Sequence, residues 1–283
     1  MLEAYCQSAR PFLIQVNSMT EITGKTKLYA IVADPILQVK TPELINKLLA
    51  QRGVDGVLVP LHVPPAALPA CVAALRGMLN FVGMVVTVPH KTAIVPLCDE
   101  LTAAAAMVGA VNVVHRDPEG RLFGDILDGK GFLSGLRLHG IEVKGKKVFL
   151  AGAGGASNAI AFALADAGVA RLTIYNRTRA KVRDMIARLS KVYPGVEMVV
   201  GTANPAGNDL VVNATSLGMA ETDPMPLSVM DLTPDQIVAE IIIVPALTRL
   251  LAAAQAKGCR IHFGAPMLEC QIELMAEFMS VGK

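Results

Sequence analysis

Val148-Phe-Leu-Ala-Gly-Ala-Gly-Gly-Ala-Ser-Asn-Ala-Ile160 decides how this chain reads. A short apolar run enters it, Gly152, Gly154 and Gly155 fill its turn, and an alanine-rich helical pattern leaves it. Strand, glycine turn and helix in this order let a pyrophosphate come close to the backbone and face the free N–H groups of a helix N-terminus. The spacing is G-x-G-G-A rather than strict G-x-G-x-x-G, so the glycines alone also fit a tight strand-to-helix turn without a ligand. The next segment narrows the choice. Arg171-Leu-Thr-Ile-Tyr175 reads as a second strand and runs into Asn176-Arg177-Thr178-Arg179-Ala180-Lys181. A dinucleotide's adenosine ribose lies at the end of that strand, where an acid would bind the 2′-hydroxyl of NAD. Cations and a hydroxyl stand there instead. They favour the 2′-phosphate of NADP, because Arg makes paired charge-assisted bonds to phosphate oxygens. The bland alternative, a solvated helix start, sets Arg177, Arg179 and Lys181 against the positive end of the helix dipole.

Downstream, Glu197–Val200, Leu210–Asn213, Gln236–Glu240 and Arg260–Phe263 read as further strands separated by helical stretches, which predicts a doubly wound parallel sheet. Upstream, Lys27–Ala33, Val54–Val63 and Phe81–Val88 read as strands, with helices over Glu43–Arg52 and Pro64–Met78. Thr41-Pro42 has the form of an N-cap followed by proline at the first helical position. A helical stretch over Glu100–Val108, a strand over Ala110–Val114, a turn at Asp117–Gly120 into Leu122–Gly124 and a helix from Asp128 to about Leu138 complete this half. Three strands, two helices and a hairpin do not make a Rossmann half. The best internal boundary is the change of pattern near residues 124–130. Met267–Met279 reads as an amphipathic helix, and residues 1 to about 24 as an extension ahead of the first domain.

Of 283 residues 53% are hydrophobic and 18% charged, and the net charge is +2, so neither a nucleic-acid nor a membrane-surface footprint is expected. No window reads as a transmembrane helix, and Met1-Leu-Glu-Ala-Tyr-Cys6 lacks the form of a signal peptide. Cys6, Cys71, Cys98, Cys259 and Cys270 are scattered and odd in number. They read as reduced thiols of a cytoplasmic protein, with no metal site. The expected partner is a small molecule, and the chain fits a monomer or a homodimer.

The motifs together are specific. Gly83-Met-Val-Val-Thr-Val-Pro-His-Lys91, Gly109-Ala-Val-Asn112, Gly124-Asp-Ile-Leu-Asp-Gly129, Ala151-Gly-Ala-Gly-Gly-Ala156, Asn176-Arg-Thr178, Asn213-Ala-Thr-Ser-Leu-Gly-Met219, Pro245-Ala-Leu-Thr248 and Gly264-Ala-Pro-Met-Leu-Glu-Cys-Gln271 occur in this order. With them the chain resembles the shikimate dehydrogenase family from about residue 24 to about residue 275. The resemblance implies a two-domain α/β fold. An α/β substrate domain would hold both chain ends (residues 1–127 plus 264–283), a Rossmann-type NADP domain would span 128–263, and a cleft would lie between them. It also implies reversible reduction of the carbonyl of 3-dehydroshikimate by NADPH.

Hydride transfer to a ketone needs a proton donor at the carbonyl oxygen, and a lysine beside a carboxylate can serve. The family's motif positions place that pair at Lys91 and Asp128. Taken alone, Lys91 also fits a solvated loop lysine and Asp128 a plain N-cap. The resemblance puts Asn112, Thr87, Thr41 and Gln271 on the substrate. It gives the cofactor Gly152, Ala153, Gly154, Gly155, Ala156, Asn176, Arg177, Thr178, Lys181, Thr215, Met219, Gly264 and Met267. NADP is the expected cofactor, with NAD use left open. Asp125 reads as a turn cap and His90 as structural.

The chain departs from the family pattern at several positions. Paired serines that hold the substrate carboxylate in the family become Val39 and Thr41. An Asn becomes Val85, an Asn-Thr pair becomes Ile126-Leu127, and a Tyr becomes Ile243. A desolvated carboxylate loses about 1–3 kcal/mol for each hydrogen-bond partner removed. The expectation is complete machinery for NADP-linked hydride transfer with altered substrate recognition: slow turnover of shikimate, and preference for a less polar or differently substituted cyclic alcohol. Quinate and amino-substituted relatives are alternatives. So is a NADP-binding sensor without turnover, although such drift should also have released Lys91 and Asp128. A folate-type methylene dehydrogenase shares the two-domain design, but Asp128-Gly129 and Asn213–Met219 argue against it.

Overall fold

The computed structural model describes residues 21–281. Cys6 and most of the N-terminal extension lie outside them. The chain builds two six-stranded sheets. The first contains β1 (Lys27–Ala33), β2 (Gly56–His62), β3 (Phe81–Val86), β4 (Glu100–Leu101), β5 (Val113–Arg116) and β6 (Leu122–Asp125), in the order β2-β1-β3-β5-β6-β4. Its first three strands are parallel and are joined by helices α1 (Thr41–Gln51) and α2 (Leu68–Gly77), while β5 and β6 form an antiparallel hairpin. Tyr29, Ala30, Ile31, Val32 and Ala33 are all buried, as expected of a central parallel strand covered on both faces.

The second sheet is wholly parallel: β7 (Lys147–Ala151), β8 (Arg171–Tyr175), β9 (Glu197–Val200), β10 (Leu210–Asn213), β11 (Ile237–Glu240) and β12 (Arg260–His262), in the order β12-β11-β10-β7-β8-β9. The chain leaves β7 toward β8 and β9, then crosses back to β10 on the other side. The point where strand order reverses, between the ends of β7 and β10, opens the crevice in which such sheets bind ligands. Helices α5 (Gly155–Asp166), α6 (Arg179–Val192) and α7 (Arg249–Ala256) connect its strands. Helix α4 (Asp128–Leu138) packs on both α5 and the last helix, α8 (Ala265–Phe278), so it joins the two sheets.

Two local expectations change. The stretch over Glu100–Val108 is not one helix: Glu100–Leu101 pairs with β6, and α3 (Ala103–Val108) starts only afterwards. Thr102 makes the break, because its Oγ1 accepts from the Ala105 N–H and its hydroxyl donates to Asp125. Thr41 is not an N-cap. Lys40 holds that position and Thr41 is the first helical residue, buried and without a capping bond.

Candidate active site

A cavity of about 560 Å³ lies between the carboxyl ends of the two sheets and is lined from both. Its dinucleotide half is made by β7 and α5. Gly152 sits at φ +124°, and a Cβ there would lie 2.6 Å from the Ala214 carbonyl oxygen. Only glycine therefore lets the turn after β7 pass this close to the end of β10. Gly154 is the N-cap of α5 and lines the cavity together with Gly155 and Ala156, so the start of this helix, the part that binds anions, borders the cavity. Asn176 and Arg177, at the end of β8, also line the cavity. Thr178 and Lys181 do not. They are exposed at the start of α6, one to four residues beyond Arg177.

The other half carries a connected polar cluster. Lys91 Nζ donates to Asp128 Oδ2 at 2.5 Å, with side-chain exposures of 13% and 4%. The second carboxylate oxygen accepts from Asn112 Nδ2 at 3.0 Å. The same amide group donates to Gln271 Oε1 at 3.1 Å, and Asn112 Oδ1 accepts from the Leu127 N–H at 2.8 Å. Each member comes from a different element: Lys91 from the turn after β3, Asn112 from the approach to β5, Asp128 from the first turn of α4 and Gln271 from α8. Asp128 is thus not a helix cap: Leu127 holds the N-cap position, and both Asp128 oxygens bond to the Lys91 and Asn112 side chains beside it. Thr87, Thr41, Thr215, Met219, Gly264 and Met267 also line the cavity.

The two halves touch at Gly155, where a Cβ would lie 3.0 Å from Lys91 Cβ. The lysine stem therefore rests on the first residue of α5, and the Lys91–Asp128 pair adjoins the glycine turn directly. His90 points the other way, fully buried, with Nε2 on the Val63 carbonyl at 2.7 Å. Asp125 accepts from Thr102 and from its own neighbour's N–H, a structural use.

Of the altered positions, Val39, Val85 and Ile243 line the cavity. Ile126 and Leu127 do not, contrary to expectation. They are 4% and 3% exposed and lie in the hydrophobic cores on either side of the first sheet. Their alternation carries both side chains into packing, and only the Leu127 N–H reaches the polar cluster.

Sequence reasoning missed Glu240. It is fully buried at the end of β11. Its carboxylate accepts from Asn213 Nδ2 (3.0 Å), Thr248 Oγ1 (3.1 Å) and the N–H groups of Ile241 (2.9 Å) and Ile242 (3.2 Å). Burial pushes its pKa up from 4.5 to about 7, against the pull of these donors. Asn213 in turn accepts from Thr215, so the acid braces two loops that wall the cavity. An acid closing an apolar run was the available signal.

Comparison with known proteins gives the family and the fold. The model of the shikimate dehydrogenase substrate-binding domain matches residues 31–114, and that of shikimate/quinate 5-dehydrogenase matches residues 136–219. The protein named shikimate dehydrogenase (NADP(+)) of Acidiphilium cryptum is 38% identical over 247 residues, covering 87% of this chain and 88% of its own. The chain belongs to the shikimate dehydrogenase family. Within the family, the structure of the Thermus thermophilus shikimate 5-dehydrogenase in complex with NADP(H) and shikimate superposes with a TM-score of 0.80 at 31% identity, over 90% of this chain and 94% of that one. The ligand-free 5-ketofructose reductase of Gluconobacter superposes at 0.77 with 30% identity, over 92% and 97%. The family's two-domain α/β architecture is thus present here, with one substrate-binding and one Rossmann-type sheet.

Proposed function

We propose that the protein is an NADP-dependent dehydrogenase of a cyclic secondary alcohol, interconverting shikimate and 3-dehydroshikimate or a related compound, and slow on shikimate itself. The observation that carries the reading is the Lys91–Asp128 pair resting on Gly155 of the dinucleotide turn, which sets a proton donor beside a cofactor site. NADP, when bound, supplies the hydride or accepts it. Lys91 gives its proton to the substrate carbonyl oxygen during reduction and takes one from the hydroxyl during oxidation. Asp128 holds the ammonium in place and compensates its charge, while Asn112, Gln271, Thr41 and Thr87 orient the ring hydroxyls. Gly152, Ala153, Gly154, Gly155 and Ala156 would hold the pyrophosphate and Met219 would adjoin the nicotinamide, with Thr215, Gly264 and Met267 also on the cofactor. Asn176, Arg177, Thr178 and Lys181 receive the 2′-phosphate. In this reading residues 128–263 form the NADP domain, and residues 1–127 with 264–283 form the substrate domain. The described cysteines are free thiols, which suits the cytoplasm.

Initial rates of NADP⁺ and NAD⁺ reduction at mildly alkaline pH, with shikimate and with quinate, test the reading. Lys91→Ala should lose about 10²–10⁴-fold in turnover while keeping NADP affinity. A variant with near-normal rates removes Lys91 from the chemistry.

A further inference from the structure

We infer that the preferred substrate is uncharged: a cyclic polyol, or its ketone, that carries no free carboxylate at the ring. The inference rests on the dehydrogenase reading above and narrows its substrate class. The charges around the cavity carry it. Three cations line it, Lys40, Lys91 and Arg177. Lys91 is committed to Asp128 at 2.5 Å. Arg177 lies at the end of β8, on the dinucleotide side. Lys40 is bound at 3.0 Å to Glu43, one turn along α1, with 44% of its side chain exposed and 68% of the glutamate's. An anion reaching Lys40 would meet the Glu43 carboxylate as well, in open water where ion pairs contribute little.

The wall around the polar cluster is hydrocarbon. Ile31, Val39, Val85, Leu268 and Met275 belong to one continuous apolar cluster that reaches the cavity from under the first sheet, and Ile243 faces it from beyond β11. The polar groups on this side of the cavity are Gln38, Asn112, Gln271, Thr41 and Thr87, neutral amides and hydroxyls that suit ring hydroxyls, and the Gln38 amide already donates to the Pro35 carbonyl at 2.6 Å. A carboxylate bound beside Lys91 would add a second negative charge next to Asp128. One turned away from Lys91 would be desolvated against valine, isoleucine and methionine, with the neutral Thr41 and Gln38 and, among the described residues on this side, no unpaired cation to compensate it. Either placement penalises the anion, and a neutral group of the same size escapes both.

The test compares shikimate with its primary carboxamide, which keeps the size and removes the charge, and with its methyl ester. Each is assayed with NADP⁺ on the wild-type protein, on Lys40→Ala and on Lys91→Ala. The expected result is a kcat/KM at least tenfold higher for the amide or the ester than for the acid. That turnover should depend on Lys91, and the preference should be unchanged in Lys40→Ala. Lys91-dependent turnover in which the acid equals or exceeds both neutral forms overturns the inference and leaves the dehydrogenase reading standing. A selective loss of acid turnover in Lys40→Ala, by tenfold or more, also overturns it, because Lys40 would then be holding a carboxylate. Absence of Lys91-dependent turnover with all three compounds overturns the dehydrogenase reading, and the inference with it.

Discussion

Glu240→Gln separates two opposing forces on one buried group. Burial raises the folded-state pKa from 4.5 to about 7, although four donors converge on the carboxylate. A raised carboxyl pKa contributes stability that is fully present below 4.5 and is lost as pH rises through about 7. The gap between the two values corresponds to roughly 3 kcal/mol. Most of it, about 2–3 kcal/mol, should disappear from the wild type between about pH 5 and about pH 8. Glutamine does not titrate, so its own offset is independent of pH. That offset is unfavourable, because one amide position replaces an oxygen that accepts from two backbone N–H groups and the other an oxygen that accepts from Asn213 Nδ2, so a donor meets a donor either way, and a buried unpaired donor costs about 1–3 kcal/mol. The assay is urea unfolding of both proteins at several pH values. The wild type should lead at pH 5 and lose about 2–3 kcal/mol of its lead by pH 8. Stability curves that stay parallel across this range refute the reasoning. They would mean that the four donors keep Glu240 ionised throughout. Because Glu240 braces Asn213 and through it Thr215, the variant should also weaken NADP binding at alkaline pH.

Other outcomes follow from single contacts. Arg177→Ala should weaken NADP about 10-fold or more while changing NAD little, since a charge-assisted bond is worth about 1.5–3 kcal/mol; equal losses for both cofactors contradict a 2′-phosphate role. Asn112→Ala strands the buried Leu127 N–H and frees one oxygen of Asp128. It should cut kcat/KM about 10–100-fold with NADP affinity preserved, and steady-state kinetics with each substrate varied in turn checks this. Gly129→Ala would place a Cβ 2.4 Å from the Ala159 carbonyl oxygen and 2.7 Å from Ala163 Cβ. Helices α4 and α5 must then part, at a cost of about 1–3 kcal/mol or more, visible as a lower Tm. An unchanged Tm would show that this contact yields without strain.

Much of this protein was legible in order along the chain. Short continuous apolar runs such as Leu28–Val32 and Phe149–Ala151, bounded by turn residues, read as strands buried on both faces, and the glycine turn after Ala151 with the strand and cations that follow it points to the doubly wound half. Lys91, Asn112, Asp128 and Gln271 stood out through the resemblance of their motifs to the family; taken alone, Lys91 and Asp128 fit a loop lysine and a helix cap equally well. What the sequence left undecided depended on direction and distance. Ile126 and Leu127 count as neighbours of Asp128, yet the entry into α4 turns both into the core, whereas Val39 and Ile243, far apart in the chain, meet the same cavity. Glu240 looks like a strand end until the fold brings Asn213, Thr248 and two backbone N–H groups around it.

The charge inventory of the cavity has the same origin. Three cations line it, and their presence could be counted from the sequence. The exposed Lys40–Glu43 pair, three residues apart, follows from spacing along one helix, but only the tertiary structure shows that Lys91 is held by Asp128. Local sequence sets which elements form, because backbone periodicity and turn chemistry act over a few residues. Whether a charge is free to meet a ligand depends on partners that chain closure delivers from 37 residues away, as for Lys91 and Asp128, or from 159, as for Asn112 and Gln271. No local pattern encodes those distances.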